Sequence, residues 1–115
     1  MTTVRDLIHE AQVEIRDTPD LLPDRAQALL MHLSALIGNV GDEIRAADAL
    51  YAQVLLSAMN QEKHANRARI LSEITPEYQR RQEARDAKEL LLELIRSLKI
   101  VLRCKSEELR YAGNQ

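Results

Sequence analysis

Apolar residues recur at helical spacing over two long stretches of this chain, and very few residues interrupt them. The whole sequence of 115 residues holds only three Gly and three Pro, and it shows no strand-type alternation of apolar and polar residues. With 3.6 residues per turn, residues 77–112 place one continuous apolar side on a helix. Its members are Ala84, Ala87, Leu91, Leu94, Ile95, Leu98, Val101, Leu102 and Leu109. The sequence therefore predicts an all-α protein with few, long helices.

Prolines and polar residues indicate where these helices begin and end. A short amphipathic helix is predicted over about residues 4–17, because Val4, Ile8 and Ala11 fall on one side of it. Pro19 and Pro23 interrupt the pattern, and a long helix is predicted over about residues 24–73. A last helix is predicted over about residues 76–112, since Thr75-Pro76-Glu77 has the order of an N-cap, a first-turn proline and an early acidic residue.

Gly38 and Gly41 decide whether the long predicted helix is continuous. Each glycine costs about 1 kcal/mol relative to Ala in a helix interior, which favours a break near residues 38–42. The apolar phase nevertheless continues unchanged from Ile37 to Ile44. We predict one long helix, kinked or straight, and keep a loop at 38–42 as the alternative.

The link between the two long predicted helices is very short, at about residues 72–76. A short link predicts that the helices form an antiparallel, coiled-coil-like hairpin, preceded by the short first helix. A length of 115 residues fits one helical domain over residues 1–115.

Charged residues are sorted by sign around the last predicted helix. The basic edge, next to the apolar side, consists of Arg81, Arg85, Lys88, Arg96, Lys99, Arg103 and Arg110. Charges that only solvate a helix are usually mixed in sign around its polar face, so this sorting indicates an acidic partner. From Arg81 to Arg103 the edge would run about 33 Å, a length comparable to several phosphates of a single strand.

Carboxylates of the chain itself are the alternative partner for the basic edge. The net charge of −2 is uneven, because residues 1–50 carry four basic and nine acidic side chains, whereas residues 51–115 carry twelve and nine. The first predicted helix has an acidic stripe that includes Glu10 and Glu14. Docking of that helix on the basic edge, within one chain or between subunits, is as well supported as nucleic-acid binding.

Patterns typical of enzymes and metal sites are absent from the sequence. It has no Gly-rich phosphate loop, no G-x-S-x-G elbow and no Cys pair. His9, His32 and His64 have no second ligand three or four positions later. We therefore expect no catalytic residue, no metal, no cofactor and no small-molecule substrate.

Three apolar residues of the last helix, Leu90, Leu92 and Ile100, fall outside its apolar side. Surplus apolar side chains on a hairpin with a thin core predict contacts between the subunits of a homo-oligomer.

The sequence also bears on the compartment in which the protein is found. No apolar run approaches the roughly 18 residues that a membrane span needs, and Met-Thr-Thr-Val-Arg-Asp lacks the layout of a signal peptide. The single Cys104 cannot form an internal disulfide, which fits a reducing compartment. We expect a cytoplasmic protein with no membrane partner.

Over about residues 24–112 the chain has a Leu-rich helix through Tyr51, then the polar stretch Lys63-His64-Ala65-Asn66-Arg67-Ala68-Arg69, and then Arg96-Ser97-Leu98-Lys99 in the last helix. This order of features resembles the UvsY-like recombination mediators of bacteriophages. Those mediators are all-helical homo-oligomers that bind single-stranded DNA and help load a recombinase onto strands covered by single-strand-binding protein. The resemblance implies a bacterial host cell and strand contacts at Lys63, Arg67, Arg69, Arg81, Arg85 and Lys88.

The leading hypothesis is a non-enzymatic accessory protein that binds single-stranded nucleic acid in phage-type recombination or replication. Its candidate site combines the implied strand contacts with the rest of the basic edge: Lys63, Arg67, Arg69, Arg81, Arg85, Lys88, Arg96, Lys99 and Arg103. The alternative is a protein-protein adaptor or inhibitor that acts through charge-sorted helices without nucleic acid.

Overall fold

A computed structural model describes residues 2–113 of the chain, without the side chain of Ala112. The described residues form helices and no strand, so the predicted all-α class is confirmed for them. The helices are α1 (Val4–Asp17), α2 (Pro23–Gln61), α3 (Ala65–Glu73) and α4 (Pro76–Gly113). None of these helices combines the length and the apolar character that crossing a membrane requires.

Tertiary contacts group the described residues into two compact units. The first unit contains the residues up to Ile37 and those from Glu89 onward, and the second unit is Gly38–Lys88. The first unit therefore contains α1, the first part of α2 and the last part of α4, and the second unit contains α3 with the remaining parts of α2 and α4. The single-domain assignment stays a prediction.

The first unit begins with a capped helix that spans the predicted residues. Thr3 is the N-cap of α1, and a capping box joins it to Asp6. The Asp6 backbone N–H donates to Thr3 Oγ1 at 3.1 Å, and the Thr3 backbone N–H donates to Asp6 Oδ2 at 3.1 Å. The backbone hydrogen bond from Thr3 lowers the pKa of Asp6 from its ordinary value of 3.8, with the Thr3 hydroxyl adding to the effect.

Aliphatic side chains fill the core of the first unit. Ile8 and Ala11 of α1 are buried, as the apolar side of that helix predicts. The buried side chains of α2 and α4 in this unit follow helical spacing and are Ala26, Leu29, Leu33, Leu36, Leu91, Leu94, Ile95 and Leu98. Lys105 Nζ donates to Asp20 Oδ1 at 3.0 Å, which joins α4 to the segment between α1 and α2.

The second unit is built around contacts between α2 and α4. Tyr51 is buried, and its ring centroid lies 5.3 Å from that of Tyr78. Asp48, one turn before Tyr51 in α2, contacts Arg81 and Arg85, which follow Tyr78 in α4. This order of contacts makes α2 and α4 antiparallel within the unit. Ala68 and Ser72 of α3 are also buried in this unit, as are Val40 and Ala47 of α2 and Ala84 of α4. The Ser72 hydroxyl donates to the Ala68 carbonyl at 2.8 Å.

The prediction of one helix over residues 24–73 is wrong at residues 62–64. α2 ends at Gln61, and α3 starts at Ala65 after His64 adopts extended backbone with φ −109° and ψ 123°. The apolar stripe of α2 ends at about Met59, so the following turns have little apolar surface to bury, and burial is what stabilises most helices. After the break, α3 buries Ala68 and Ser72 instead.

The alternative of a loop at 38–42 is also wrong, because α2 is helical throughout Pro23–Gln61. Neither Gly38 nor Gly41 has a positive φ. A Cβ atom added at Gly38 would meet nothing within 4 Å. Neither glycine is therefore required by a turn or by a close approach within the described chain.

Candidate nucleic-acid interface

The nine candidate cations lie in three places. Lys63 precedes α3, and Arg67 and Arg69 belong to that helix. Arg81, Arg85 and Lys88 lie on the part of α4 in the second unit, and Arg96, Lys99 and Arg103 lie on its part in the first unit. All of them are exposed except Arg81, whose side chain keeps 25% of its accessible surface.

Arg81 is a structural residue of the second unit as much as a surface cation. Its Nε donates to Asp48 Oδ1 at 3.0 Å. Its guanidinium carbon lies 4.8 Å from the ring centroid of Tyr51, which is a cation–π contact. Arg81 therefore helps to join α4 to α2.

Two more candidate cations form ion pairs within the chain. Arg85 Nη2 donates to Asp48 Oδ1 at 3.4 Å, so one carboxylate serves both Arg81 and Arg85. Arg67 Nε lies 3.4 Å from Glu62 Oε2. Exposed pairs of this kind contribute at most about 1 kcal/mol each, so they occupy the arginines without holding them strongly.

The other six candidates form no ion pair with any described residue: Lys63, Arg69, Lys88, Arg96, Lys99 and Arg103. By contrast, each described basic residue before residue 63 has an interaction partner. Positive charge that the described chain leaves unpaired is thus concentrated after residue 62.

Three of these six cations form a compact group, here called the basic strip, which consists of Arg96, Lys99 and Arg103. They lie three and four residues apart on α4, so they are neighbours on one helix surface over about 10 Å. All three side chains are exposed. The strip can place three cations beside consecutive anionic groups without first breaking an ion pair to a described residue.

Among the described residues, no carboxylate of the acidic stripe of α1 forms an ion pair with the basic edge. Glu14 accepts hydrogen bonds from Arg25 of α2, which lower the pKa of Glu14 from its ordinary value of 4.5. Asp6 serves the N-cap of α1. The carboxylate that meets the basic edge is Asp48 of α2, a residue that the sequence interpretation had not singled out.

Aromatic side chains offer little surface for stacking bases in the second unit. Tyr51 is 8% exposed, and Tyr78 is half-buried against it with the two rings tilted by 56°. Tyr111 near the end of α4 is 75% exposed, and sequence reasoning had not selected it. Contacts of this surface with a nucleic acid would therefore be mainly to phosphates.

The predicted oligomer contacts are apolar surface on α4. Leu92 and Ile100 are exposed, while Leu90 is half-buried. Three further exposed apolar residues lie in the second unit and were not among the predicted contacts: Ile70, Leu71 and Ile74. Leu71 borders a pocket of about 410 Å³, together with Leu50 and Val54 of α2. Association between subunits stays a prediction.

Metal ligands do not cluster in the part of the chain that the structure describes. No group of three or more His, Cys, Asp or Glu side chains is placed to hold an ion there. His9, His32 and His64 are all exposed.

Comparison with protein-family models, curated proteins and solved structures finds no match to this chain. The arrangement of charges on α4 and α3 is therefore the basis for its functional assignment.

Proposed function

We propose that this protein is a non-enzymatic helical accessory protein that binds single-stranded nucleic acid through the basic edge of α4. In this proposal the short α1 precedes a long antiparallel helical hairpin, whose return helix α4 presents the cations. The observation that carries the proposal is the basic strip, Arg96, Lys99 and Arg103, exposed on one helix surface without an ion pair to a described residue.

Unpaired cations in a row favour a polyanion for a simple electrostatic reason. Binding of phosphates by Lys and Arg releases the counterions condensed on the nucleic acid, and this release supplies free energy without sequence recognition. Arginine donors also fit phosphate oxygens in a bidentate geometry. A flexible single strand can follow three cations along about 10 Å of helix.

The biological setting of this proposal comes from the resemblance to UvsY-like mediators. That resemblance adds a role in phage-type recombination or replication, a recombinase or single-strand-binding protein as partner, a homo-oligomeric state and a cytoplasmic location. Each of these remains a prediction.

The test is a salt titration of binding to a labelled oligothymidylate of about 15 nucleotides. Lys99→Gln with Arg103→Gln removes two charges of the basic strip. For a single strand the slope of log K against log salt should become shallower by about 1.4, at 0.7 per lost contact. Affinity at about 50 mM salt should fall by tenfold or more.

A matched control removes the same charge elsewhere. Arg16→Gln with Arg45→Gln changes two exposed arginines that already pair with Asp17 and Asp42. This variant should keep the wild-type slope. Absence of binding by the wild-type protein at about 50 mM salt would reject the proposal, and equal losses in both variants would reject the basic strip as the contact surface.

The second candidate function is a protein-protein adaptor, and the exposed apolar residues of the second unit favour it. Ile70, Leu71 and Ile74 are 57%, 39% and 76% exposed, which is unusual for three large apolar residues so close in sequence. An adaptor would show no salt-dependent binding of oligothymidylate. Its partner binding would instead be weakened by Ile70→Ser and Ile74→Ser and left unchanged by the basic-strip variant.

A further inference from the structure

We infer that Arg81 and Arg85 form a phosphate site that Asp48 fills from within the chain, so that Asp48 limits binding of nucleic acid to this part of α4. The inference rests on the proposed function and concerns the second unit, whereas the basic strip lies in the first unit. It assigns to Asp48 the role of an internal competitor of a phosphodiester.

The geometry is that of one anion between two guanidinium groups. Asp48 Oδ1 accepts from Arg81 Nε at 3.0 Å and from Arg85 Nη2 at 3.4 Å. The two arginines lie four residues apart on α4, so their side chains leave the same face of the helix. A phosphate has the same charge sign and oxygen acceptors as a carboxylate, and it accepts from paired guanidinium groups in the same way.

The site keeps part of its shape when the anion is exchanged. Arg81 is held by the ring of Tyr51 at 4.8 Å, and that contact does not involve Asp48. Tyr51 in turn is fixed by burial and by its contact with Tyr78. A phosphate that displaces Asp48 would therefore meet a guanidinium that is already oriented.

The carboxylate is also accessible enough to be displaced. The side chains of Asp48 and Arg85 retain 41% and 46% of their accessible surface. Ion pairs with this exposure are weak, because water screens them and each partner loses little hydration. The neighbouring pair of Arg80 with Glu43 differs from the Asp48 site in two ways. It joins a single arginine to a single carboxylate, and Arg80 does not belong to the basic edge.

The test removes the internal carboxylate and measures binding of the labelled oligothymidylate by the full chain. Asp48→Asn keeps the size of the side chain and removes its charge. Release of two arginines should steepen the slope of log K against log salt by up to about 1.4 and raise affinity at about 50 mM salt by tenfold or more.

Two control variants separate this effect from a change of net charge. Asp42→Asn removes the same charge from the same helix, at a carboxylate that pairs with Arg45. Glu43→Gln releases Arg80, which lies off the basic edge. Neither control should steepen the slope, and circular dichroism should show the same helix content in every variant.

Each outcome bears on the inference. If the wild-type protein binds and Asp48→Asn binds no better than Asp42→Asn, Asp48 is a structural partner only, and the proposed function survives. If the wild-type protein does not bind oligothymidylate at about 50 mM salt, the proposed function fails and the inference fails with it. If Asp48→Asn unfolds, Asp48→Ser takes its place, and unfolding of both would overturn the inference, because Asp48 could then not be displaced.

Discussion

Replacement of Gly38 by Ala should stabilise the protein, although glycine in this position looks at first like a hinge. Gly38 lies in the interior of α2 with a negative φ, so Ala can adopt the same backbone conformation without strain. The new methyl group would meet no atom within 4 Å, which means that it neither clashes nor fills a cavity. The expected effect is therefore the difference in helix propensity, a gain of about 1 kcal/mol in the free energy of unfolding.

Gly41→Ala provides a second measurement of the difference in helix propensity between Gly and Ala. Its methyl group would lie 3.6 Å from Arg45 Nη1, an ordinary contact with the end of a flexible side chain. The gain should again be about 1 kcal/mol.

Urea denaturation followed by far-ultraviolet circular dichroism measures these differences, at one protein concentration for all variants. Ala46→Gly, at an exposed position of the same helix, is the reverse control and should lose about 1 kcal/mol. A loss of stability in Gly38→Ala, beside a normal loss in Ala46→Gly, would refute the reasoning. It would show that Gly38 in solution has a close neighbour, or that its backbone is not helical.

Two further predictions concern the first unit. Leu33 is fully buried, so Leu33→Ala should cost about 2 to 5 kcal/mol in urea denaturation, whereas Leu22→Ala at a 69% exposed position should stay within about 0.5 kcal/mol of wild type. The hydrogen bonds from Arg25 lower the pKa of Glu14 below 4.5, so their contribution to stability is complete above pH 4.5 and is lost as the pH falls through the folded-state pKa. Glu14→Gln should therefore weaken the fall in unfolding free energy below pH 4.5, and an unchanged acid profile would contradict this assignment.

The arrangement of charges shows where sequence reasoning reached its limit. Helical spacing placed Arg81 and Arg85 correctly on one face of α4, because that spacing depends only on the 3.6-residue repeat. It did not identify Asp48 as their partner. A continuous helix over about residues 24–73 with a link at 72–76 would place Asp48 opposite the far part of the last helix, not beside its start. The pair therefore depends on the break at residues 62–64 and on the register between the helices, which composition and periodicity do not contain.

Local chemistry was sufficient for the helical class, for the bounds of α1 and for the burial of Leu91 and Leu98, because helix periodicity and capping act within a few residues. Tertiary structure decided the break at residues 62–64, where the outcome depends on whether α3 finds a surface on which to bury Ala68. It also decided which cations are paired within the chain and which form no ion pair with a described residue. Ion pairs between helices depend on the rotation and register of two elements that are distant in sequence, and the packing of the core sets both.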